Sequence, residues 1–526
     1  MGGGLGGLYC ARGLVRLPSV QSVEVLEARE DVGGRMRTKY SGDDRPLYEE
    51  GAWRIPETHQ RLLRLCAELG LEMMEVPSEE PTSCKEWVGS TREPRNRKPS
   101  PLVQQTACSQ GTLSSWDVAA VRLGVRGAEL TEAETGYAGL GIMAAGTDAY
   151  GVEQNERTGT TESPHRYFVP TTGMTSICVR LKEDLLRKKE QRSPCRVRLK
   201  TRVVDVRASS AEGRRGFLVL CEERTGANSF SRWSLWADVV IAAVPPSQIA
   251  RWRGVSEKLA PVLAALAPVP LLKVFSKAGP RFRAVLGLGQ GAFHLKSNTL
   301  GQQIISNTYP GTDFVQLAYC AGQRAEALEH LRLCGDMMGP LCEELSTTFG
   351  LEGDRKRALR DLLLREEYFV HFWSEAVHVW RPSFDLNVDL KSAQACLAPH
   401  AALPGLFLCG EAVSTLQGWG EGALQTAASV VDAIAGSSEG GAWRKGRVAC
   451  PWTRIPSSLF PGPVEGGQTV VYDGRLLDVG AWAKVHPGSE AAIRAHLGED
   501  VTELWDALHP KYALGLIFAL QVGWSL

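Results

Sequence analysis

Apolar residues recur along this chain with two periods, and the switches between them predict alternating strands and helices. Val23 to Arg29 (V-E-V-L-E-A-R) reads as a strand, following a helix that opens at about Leu8. Leu62, Leu63, Leu65, Cys66 and Leu69 keep helical spacing behind Thr58, a residue type that caps helix N-termini. Pro170 to Leu186 reads as a turn entering an amphipathic helix, and Val197 to Val206 and Phe217 to Cys221 read as strands. Ala237 to Val244 and Leu406 to Cys409 are apolar enough for buried strands, and Gly422 to Ile434 returns to helical spacing. Two stretches break the pattern. Residues 80–115, rich in Pro, Ser, Thr and charge, read as a loop or insertion, and residues 435–467, with Gly, Ser and Pro but no period, read as a linker.

A chain of 526 residues is too long for one ordinary domain. The pattern divides it into a body over 1–436, the linker over about 437–467, and a small unit over 468–526. Within the body, a mixed segment over about 250–385 should form much of a second lobe. The 59 basic and 59 acidic residues cancel, which removes the electrostatic case for nucleic acid or an anionic membrane surface. Thirteen cysteines without a C-x-x-C pair argue against a zinc site or a disulfide framework, and for a reducing compartment, here taken as the cytoplasm. No stretch has the length of a membrane span, and Ala513 to Trp524 is broken by Gly515, Gln521 and Gly523.

Chemistry enters at the first residues. Residues 2–7 (G-G-G-L-G-G) fit G-x-G-x-x-G with Gly2, Gly4 and Gly7 in the glycine positions. Such glycines allow a tight turn, close approach to a pyrophosphate, and tight helix–strand packing, and the helix they open directs its positive end at that anion. Glu27, at 27 − 7 = 20 residues beyond the last glycine, stands where an acid accepts hydrogen bonds from a ribose. In such a fold the glycine turn follows a buried central strand, and here only Met1 precedes it. Losing that strand would remove about four or five buried side chains at roughly 1.5–3 kcal/mol each, so the record is expected to lack its true start, and any targeting segment with it.

The segments G-G-G-L-G-G, V-L-E-A-R with G-G-R-M-R-T, G-A-W-R-I-P, A-D-V-V-I-A-A-V-P, L-L-K-V-F and G-L-F-L-C-G-E-A-V-S-T-L-Q-G-W-G-E-G-A-L resemble the flavin amine oxidase superfamily, in that family's order, over roughly residues 1–436. The resemblance implies an α/β architecture. A Rossmann-like FAD-binding lobe would take about 1–55, 165–245 and 386–436, and an α+β substrate lobe about 56–164 and 246–385. It implies FAD, with Gly2, Gly4 and Gly7 under the pyrophosphate and Glu27 on the adenosine ribose. Arg29, Gly34 and Arg35 would continue that path, and Gly51, Ala52 and Trp53 would line the cofactor. Val204, or its neighbour Val203, would meet the adenine by its backbone. Glu411 would lie beside the ribityl and pyrophosphate region, and the helix opening near Gly422, with Ala423, would aim its N-terminus at the flavin pyrimidine.

Three side chains would narrow the substrate. Arg54, in G-A-W-R-I-P-E-T-H, looks most like the L-amino-acid oxidases, where the matching arginine clamps the α-carboxylate through paired charge-assisted bonds. A plainer alternative pairs it with Glu50 or Glu57. Trp419 would be the aromatic wall facing the flavin, and Lys273 the lysine holding a water near the reactive nitrogen; their plainer alternatives are a core tryptophan and a lysine reaching solvent. His378 and Trp380 read as structural rather than as cavity lining. The turn P-T-T-G-M departs from the P-x-G-G-M of many relatives, and the second lobe offers no further motif.

The tail, Val470 to Leu526, resembles the cytochrome b5 haem-binding domain, an α+β module, through V-V-Y-D-G-R-L-L-D-V, H-P-G-S and G-E-D-V-T-E-L-W-D-A-L-H-P. His486 and His509, separated by 509 − 486 = 23 residues, match the axial ligands of haem b iron. Leu497, Leu504 and Trp505 would pack that pocket, while Ser489 and Pro510 depart from the family's usual glycine and serine. Together these implications describe a flavoenzyme that deaminates an L-amino acid and passes electrons to O2 or to the fused haem, with a further redox partner docking on the tail. The alternatives are a polyamine or monoamine oxidase, a flavin-dependent desaturase or isomerase acting on a lipid or carotenoid, and a non-enzymatic redox carrier.

Overall fold

The computed structural model describes residues 2–76, 116, 120, 166–187, 193–211, 214–226, 229–288, 293–296, 300–306, 309, 311–381, 403–440, 469–472, 475–483, 490–499, 501 and 521–524. The first lobe opens with α1 (Leu5–Leu14), β1 (Val23–Leu26), the hairpin of β2 (Thr38–Tyr40) and β3 (Pro46–Glu49), β4 (Ile55–Pro56) and α2 (Gln60–Glu68). It continues with β5 (Met73–Glu75), β6 (Tyr167–Pro170), α3 (Thr175–Leu186), β7 (Cys195–Arg198), β8 (Thr201–Ala211), β9 (Arg214–Arg224), β10 (Phe230–Ala237) and β11 (Val240–Ala242). The second lobe carries β12 (Leu266–Ser276), α4 (Gly279–Leu286), β13 (His294–Lys296), β14 (Gln303–Ser306), β15 (Val315–Ala321), α5 (Gln323–Leu333), α6 (Met338–Thr348), α7 (Gly353–Arg365) and β16 (Tyr368–Trp380). The chain then returns through β17 (Leu406–Leu408) and α8 (Gly420–Gly440).

Two parallel pairs, β1 with β7 and β11 with β17, form the layer under α1. Gly2 lies between them. Its N–H donates to the Leu26 carbonyl at 2.8 Å, and a Cβ on it would stand 2.3 Å from the Ala243 oxygen. Gly2 turns the chain at φ +94°, and helical bonding starts at once from the Gly4 carbonyl, so α1 begins three residues ahead of the expected Leu8. Leu5, Leu8 and Ala11 then bury against Ile177, Cys178 and Leu181 of α3 and Leu424 of α8. This helix sandwich fixes the glycine turn from three sides.

Several expected boundaries moved because partners arrived from elsewhere in the chain. The strand read over 197–206 is two, because Lys200 adopts φ +56° and its N–H turns aside to the Arg29 carbonyl. Ala237 closes β10 of the antiparallel sheet β8–β9–β10, so only Val240–Ala242 of the apolar run joins the parallel layer. Thr58 is not the cap of α2: His59 occupies that position, and the Glu421 carboxylate of α8 accepts from the Arg61 and Leu62 amides at 3.2 and 2.9 Å. A cap delivered across the fold leaves no short-range signature. Likewise α8 starts at Gly420, two residues before the expected Gly422.

The second lobe is a five-stranded antiparallel sheet in the order β13–β14–β15–β12–β16. One of its faces packs Leu272, Val274, Phe282, Leu317, Leu341 and Leu359 into a core with helices α4 to α7. Strand β12, paired on both sides, is buried along nearly its whole length. The tail forms a separate antiparallel sheet of β18 (Thr469–Tyr472), β19 (Arg475–Asp478) and β20 (Gln521–Trp524). Val470, Leu477 and Val479 are buried there.

A Cβ on Gly7 would lie 2.0 Å from the Gly2 oxygen, in rigid backbone. Gly7→Ala is therefore expected to cost more than the roughly 1–3 kcal/mol of an ordinary overpacked core site, read as a lowered urea midpoint or loss of soluble protein.

Candidate active site

The glycine turn fits an anion. Helix α1 has no side-chain cap and no acid in its first turn, so its leading amides are free to face a ligand. A Cβ on Gly4 would meet nothing nearer than the Gly33 oxygen at 4.0 Å, whereas Gly2 and Gly7 are closed by backbone. Gly33 and Gly34, at φ +129° and +60°, bring the second glycine motif alongside, with the Gly33 N–H on the Gly3 carbonyl at 2.9 Å. Ala423 of α8 packs beside Gly6 of α1. A pyrophosphate is the ligand such a cradle of glycines and amides suits.

Glu27 stands just past β1 and is tethered by the Gly3 amide at 2.6 Å and the Arg29 amide at 2.9 Å. The Arg29 guanidinium lies 5.4 Å from the Trp373 ring centroid. Val204 is the extra residue in a β-bulge: Val203 pairs with Cys221 and Asp205 with Leu220, leaving Val204 outside the ladder. Its backbone is thereby released for another partner.

Glu411 is a hub. Its carboxylate accepts from the Gly418 amide at 2.8 Å, the His378 amide at 2.8 Å, Arg35 Nη1 at 2.7 Å and His378 Nδ1 at 3.1 Å. Arg35 also donates to the Ala376 carbonyl at 2.7 Å. Burial works against ionisation, but Arg35 and His378 override it and hold the Glu411 carboxyl well below the usual carboxylate range. His378 is fully buried; burial disfavours its charge, yet Glu411 and Glu375 raise its pKa. Its Nε2 faces Glu375 at 3.5 Å. Trp380, also buried, donates from its amide to Gln417 at 2.9 Å. Both residues thus tie β16 to the loop that leads into Trp419.

Lys273 does not reach solvent. It is 1% exposed, and its Nζ donates to the Glu49 carbonyl at 3.0 Å and the Gly51 carbonyl at 2.6 Å. The same amine sits 4.9 Å from the Tyr319 ring centroid. Gly51 is confined, since a Cβ there would fall 1.9 Å from the Arg35 oxygen, and the Ala52 amide bonds that same oxygen at 2.9 Å. Trp53 is edge-on to His294 at 5.9 Å and to Tyr319 at 6.5 Å. Arg54 follows, its guanidinium 4.4 Å from the Trp53 centroid and 3.8 Å from that of Tyr167. The alternative pairing with Glu50 is not formed: Glu50 bonds Arg37 at 2.7 Å and faces His371 at 3.7 Å. Among the described residues no carboxylate pairs with Arg54.

The sequence reading missed Glu49 as a site residue. It is 3% exposed, and its carboxylate accepts from Tyr309 Oη, the Met174 amide and Thr38 Oγ1. Burial raises its pKa to about 7, against the pull of those donors and of Lys273. Burial likewise lowers Lys273 to about 8, against Glu49 and Glu50. The signal available was the Glu49-Glu50 doublet after an apolar strand, since period-2 alternation turns one of two adjacent acids inward. His59 and Glu421 also went unread. His486 and His509 lie outside the described residues.

Residues 5–135 and 136–435 match the flavin containing amine oxidoreductase family, and the chain belongs to that family. Residues 465–524 match the cytochrome b5-like heme/steroid binding domain. Cyclohexylamine oxidase from Brevibacterium oxydans IH-35A shares the fold at TM-score 0.59 and 17% identity, over 83% of this chain and 98% of that one. A redesigned putrescine oxidase double mutant aligns at TM-score 0.55 and 18% identity, over 82% and 98%. A delta 8-(E)-sphingolipid desaturase of Emericella nidulans is 36% identical over 58 residues, 11% of this chain and 11% of that protein, so the chain spans about a tenth of its length. The family implies FAD, small amine substrates and O2, and the tail implies haem. Among the described residues no helix is long and apolar enough to cross a membrane.

Because Glu49 has a higher pKa folded than its ordinary 4.5, the folded state holds more protons between about pH 4.5 and 7. Its contribution to stability therefore falls as pH rises through that window. In Glu49→Gln, which keeps a carbonyl for Met174, the difference in unfolding free energy from wild type should narrow and then reverse in the variant's favour from pH 5 to 7, measured by urea denaturation.

Proposed function

We propose that this flavoenzyme oxidatively deaminates an L-amino acid, converting it with O2 and water to a 2-oxo acid, ammonia and hydrogen peroxide. The observation that carries this reading is Arg54, a guanidinium whose Cζ lies over the Trp53 and Tyr167 rings at 4.4 and 3.8 Å. A guanidinium stacked on rings keeps its in-plane N–H groups for a ligand, and a carboxylate matches that fork. A simple amine has nothing to place there. Bound along α1 and α8, FAD supplies the two-electron acceptor for the α-hydrogen.

The residues then divide the work. Arg54 fixes the α-carboxylate and so the position of the α-carbon. Trp419 confines the amine from the opposite side. Lys273 spends two donors on the carbonyls of Glu49 and Gly51, which leaves a third N–H for the water that the family resemblance assigns to it. Gly2, Gly4 and Gly7 would take the pyrophosphate, with Arg29, Gly34 and Arg35 alongside. Glu27 would take the ribose, and the released Val204 backbone the adenine. The leading amides of α8, near Ala423, would face the pyrimidine. Glu411, saturated by its four donors, acts on this site by fixing Arg35 and the Trp419 loop.

In the tail, His486 and His509 are proposed as the two axial ligands of haem b. Held by those two histidines, the haem would supply one-electron transfer between the body and a partner. A second reading, oxidation of a simple amine, draws on the cyclohexylamine and putrescine oxidases whose fold this chain shares.

Anaerobic addition of L-amino acids should bleach the flavin bands, and a panel that bleaches none of them ends the amino-acid reading. Arg54→Ala should lower kcat/KM for the best amino acid by about 10²–10³, the worth of a lost charge-assisted pair of roughly 3–4 kcal/mol. Unchanged turnover of a simple amine by both proteins would favour the second reading. His486→Ala and His509→Ala should each lose the haem Soret band while the flavin spectrum stays intact.

A further inference from the structure

We propose that His59 is a positioning residue: it sets the plane of the Trp419 indole, and it does so from just beyond the short strand β4 that follows Arg54. The inference rests on the reading of Trp419 as the wall of the reaction chamber. Its support is geometric. The imidazole and indole meet edge to face, centroids 4.9 Å apart and planes at 81°. That arrangement sets the positive edge of one ring against the negative face of the other.

Both partners are held independently of their contact. His59 is 1% exposed and stands at the N-cap of α2, its amide on the Pro56 carbonyl at 3.0 Å. Two and three residues on, the Arg61 and Leu62 amides are pinned by Glu421. Glu421 lies two residues after Trp419, so the ring contact and the carboxylate cap form a two-point clamp between the start of α2 and the start of α8. Gly420 allows this closeness, since a Cβ on it would come within 3.1 Å of Leu5 and Leu62 and 2.9 Å of Met36.

A space-filling role does not account for a histidine here. Among the described residues, His59 Nδ1 and Trp419 Nε1 are both buried without a hydrogen-bond partner, and a buried unsatisfied polar atom is destabilising. Leucine would fill the same place without that penalty. Burial keeps the imidazole neutral, with its pKa lowered to about 4, so at neutral pH the contact joins two uncharged rings. Such a contact orients the indole without competing for a charged substrate. Because His59 lies five residues after Arg54, one short segment around β4 would then place both the carboxylate clamp and the aromatic wall.

The test labels the protein with 5-fluorotryptophan and assigns the Trp419 line in the ¹⁹F NMR spectrum as the one missing from Trp419→Phe. In His59→Ala and His59→Gln, neither of which has a ring, that line is expected to move or broaden. In His59→Phe, which restores a ring edge, it should return towards its wild-type position. With a turned-over substrate, His59→Ala should lose about tenfold in kcat while KM changes little. His59→Ala with Trp419→Ala should be no slower than Trp419→Ala alone, since the two act as a unit. An unmoved Trp419 line in both ringless variants, or losses that multiply in the double variant, overturns the proposal. If His59→Ala does not fold, His59→Gln set against His59→Phe makes the same comparison. A protein inert to every amino acid would defeat the functional reading but leave the NMR result standing.

Discussion

The buried ammonium of Lys273 is the interaction on which the arrangement of the lobes depends. It leaves the centre of the second-lobe sheet and ends on two carbonyls of the first-lobe glycine loop. A cation 1% exposed is retained only where acceptors and a counter-charge receive it. Here the counter-charge is Glu49, itself buried under α3 and held by Tyr309 and Thr38. Removing the ammonium would leave the buried Glu49 and Gly51 carbonyls without their donor, so the two lobes are bound to one relative position through it.

A second buried side chain, His378, repeats the device. Strands β12 and β16 are neighbours, with Lys273 opposite His371 and Pro268 opposite His378. One strand sends Lys273 to the Glu49 loop, and the other sends His378 to Glu411. Arg35 joins the second cluster from the cradle side, so Glu411 links the glycine motif at 33–35, the second lobe, and the turn before α8. The acid that the family resemblance set beside the cofactor works, in this geometry, through the elements it holds. Trp419 inherits its position from that hub on one side and from α2 on the other.

The legible part of the site was the part built from consecutive residues. The glycine fingerprint, the L-L-K-V-F strand and G-W-G-E-G each encode a local demand: a positive φ, a buried strand or a helix start. Local demands leave marks in short windows. The α2 cap, the bulge at Val204 and the Glu49–Tyr309 contact involve residues separated by up to 360 positions. No window contains both members of such a pair. Boundaries failed for the same reason: Lys200 broke a run of good strand formers because its amide found Arg29 across the fold.

By itself the sequence determined the two families, an amine oxidoreductase body and a cytochrome b5-like tail, and the parallel layer under a glycine-opened helix, and it nominated the residues for a pyrophosphate and a carboxylate. These follow from backbone sterics, hydrophobic period and side-chain chemistry, all of which act over a few residues. Only the tertiary structure decided which charges are buried together, which way Arg54 is stacked, and what fixes the indole of Trp419. Those outcomes depend on desolvation and on partners brought in from distant segments, and neither exists until the chain has folded.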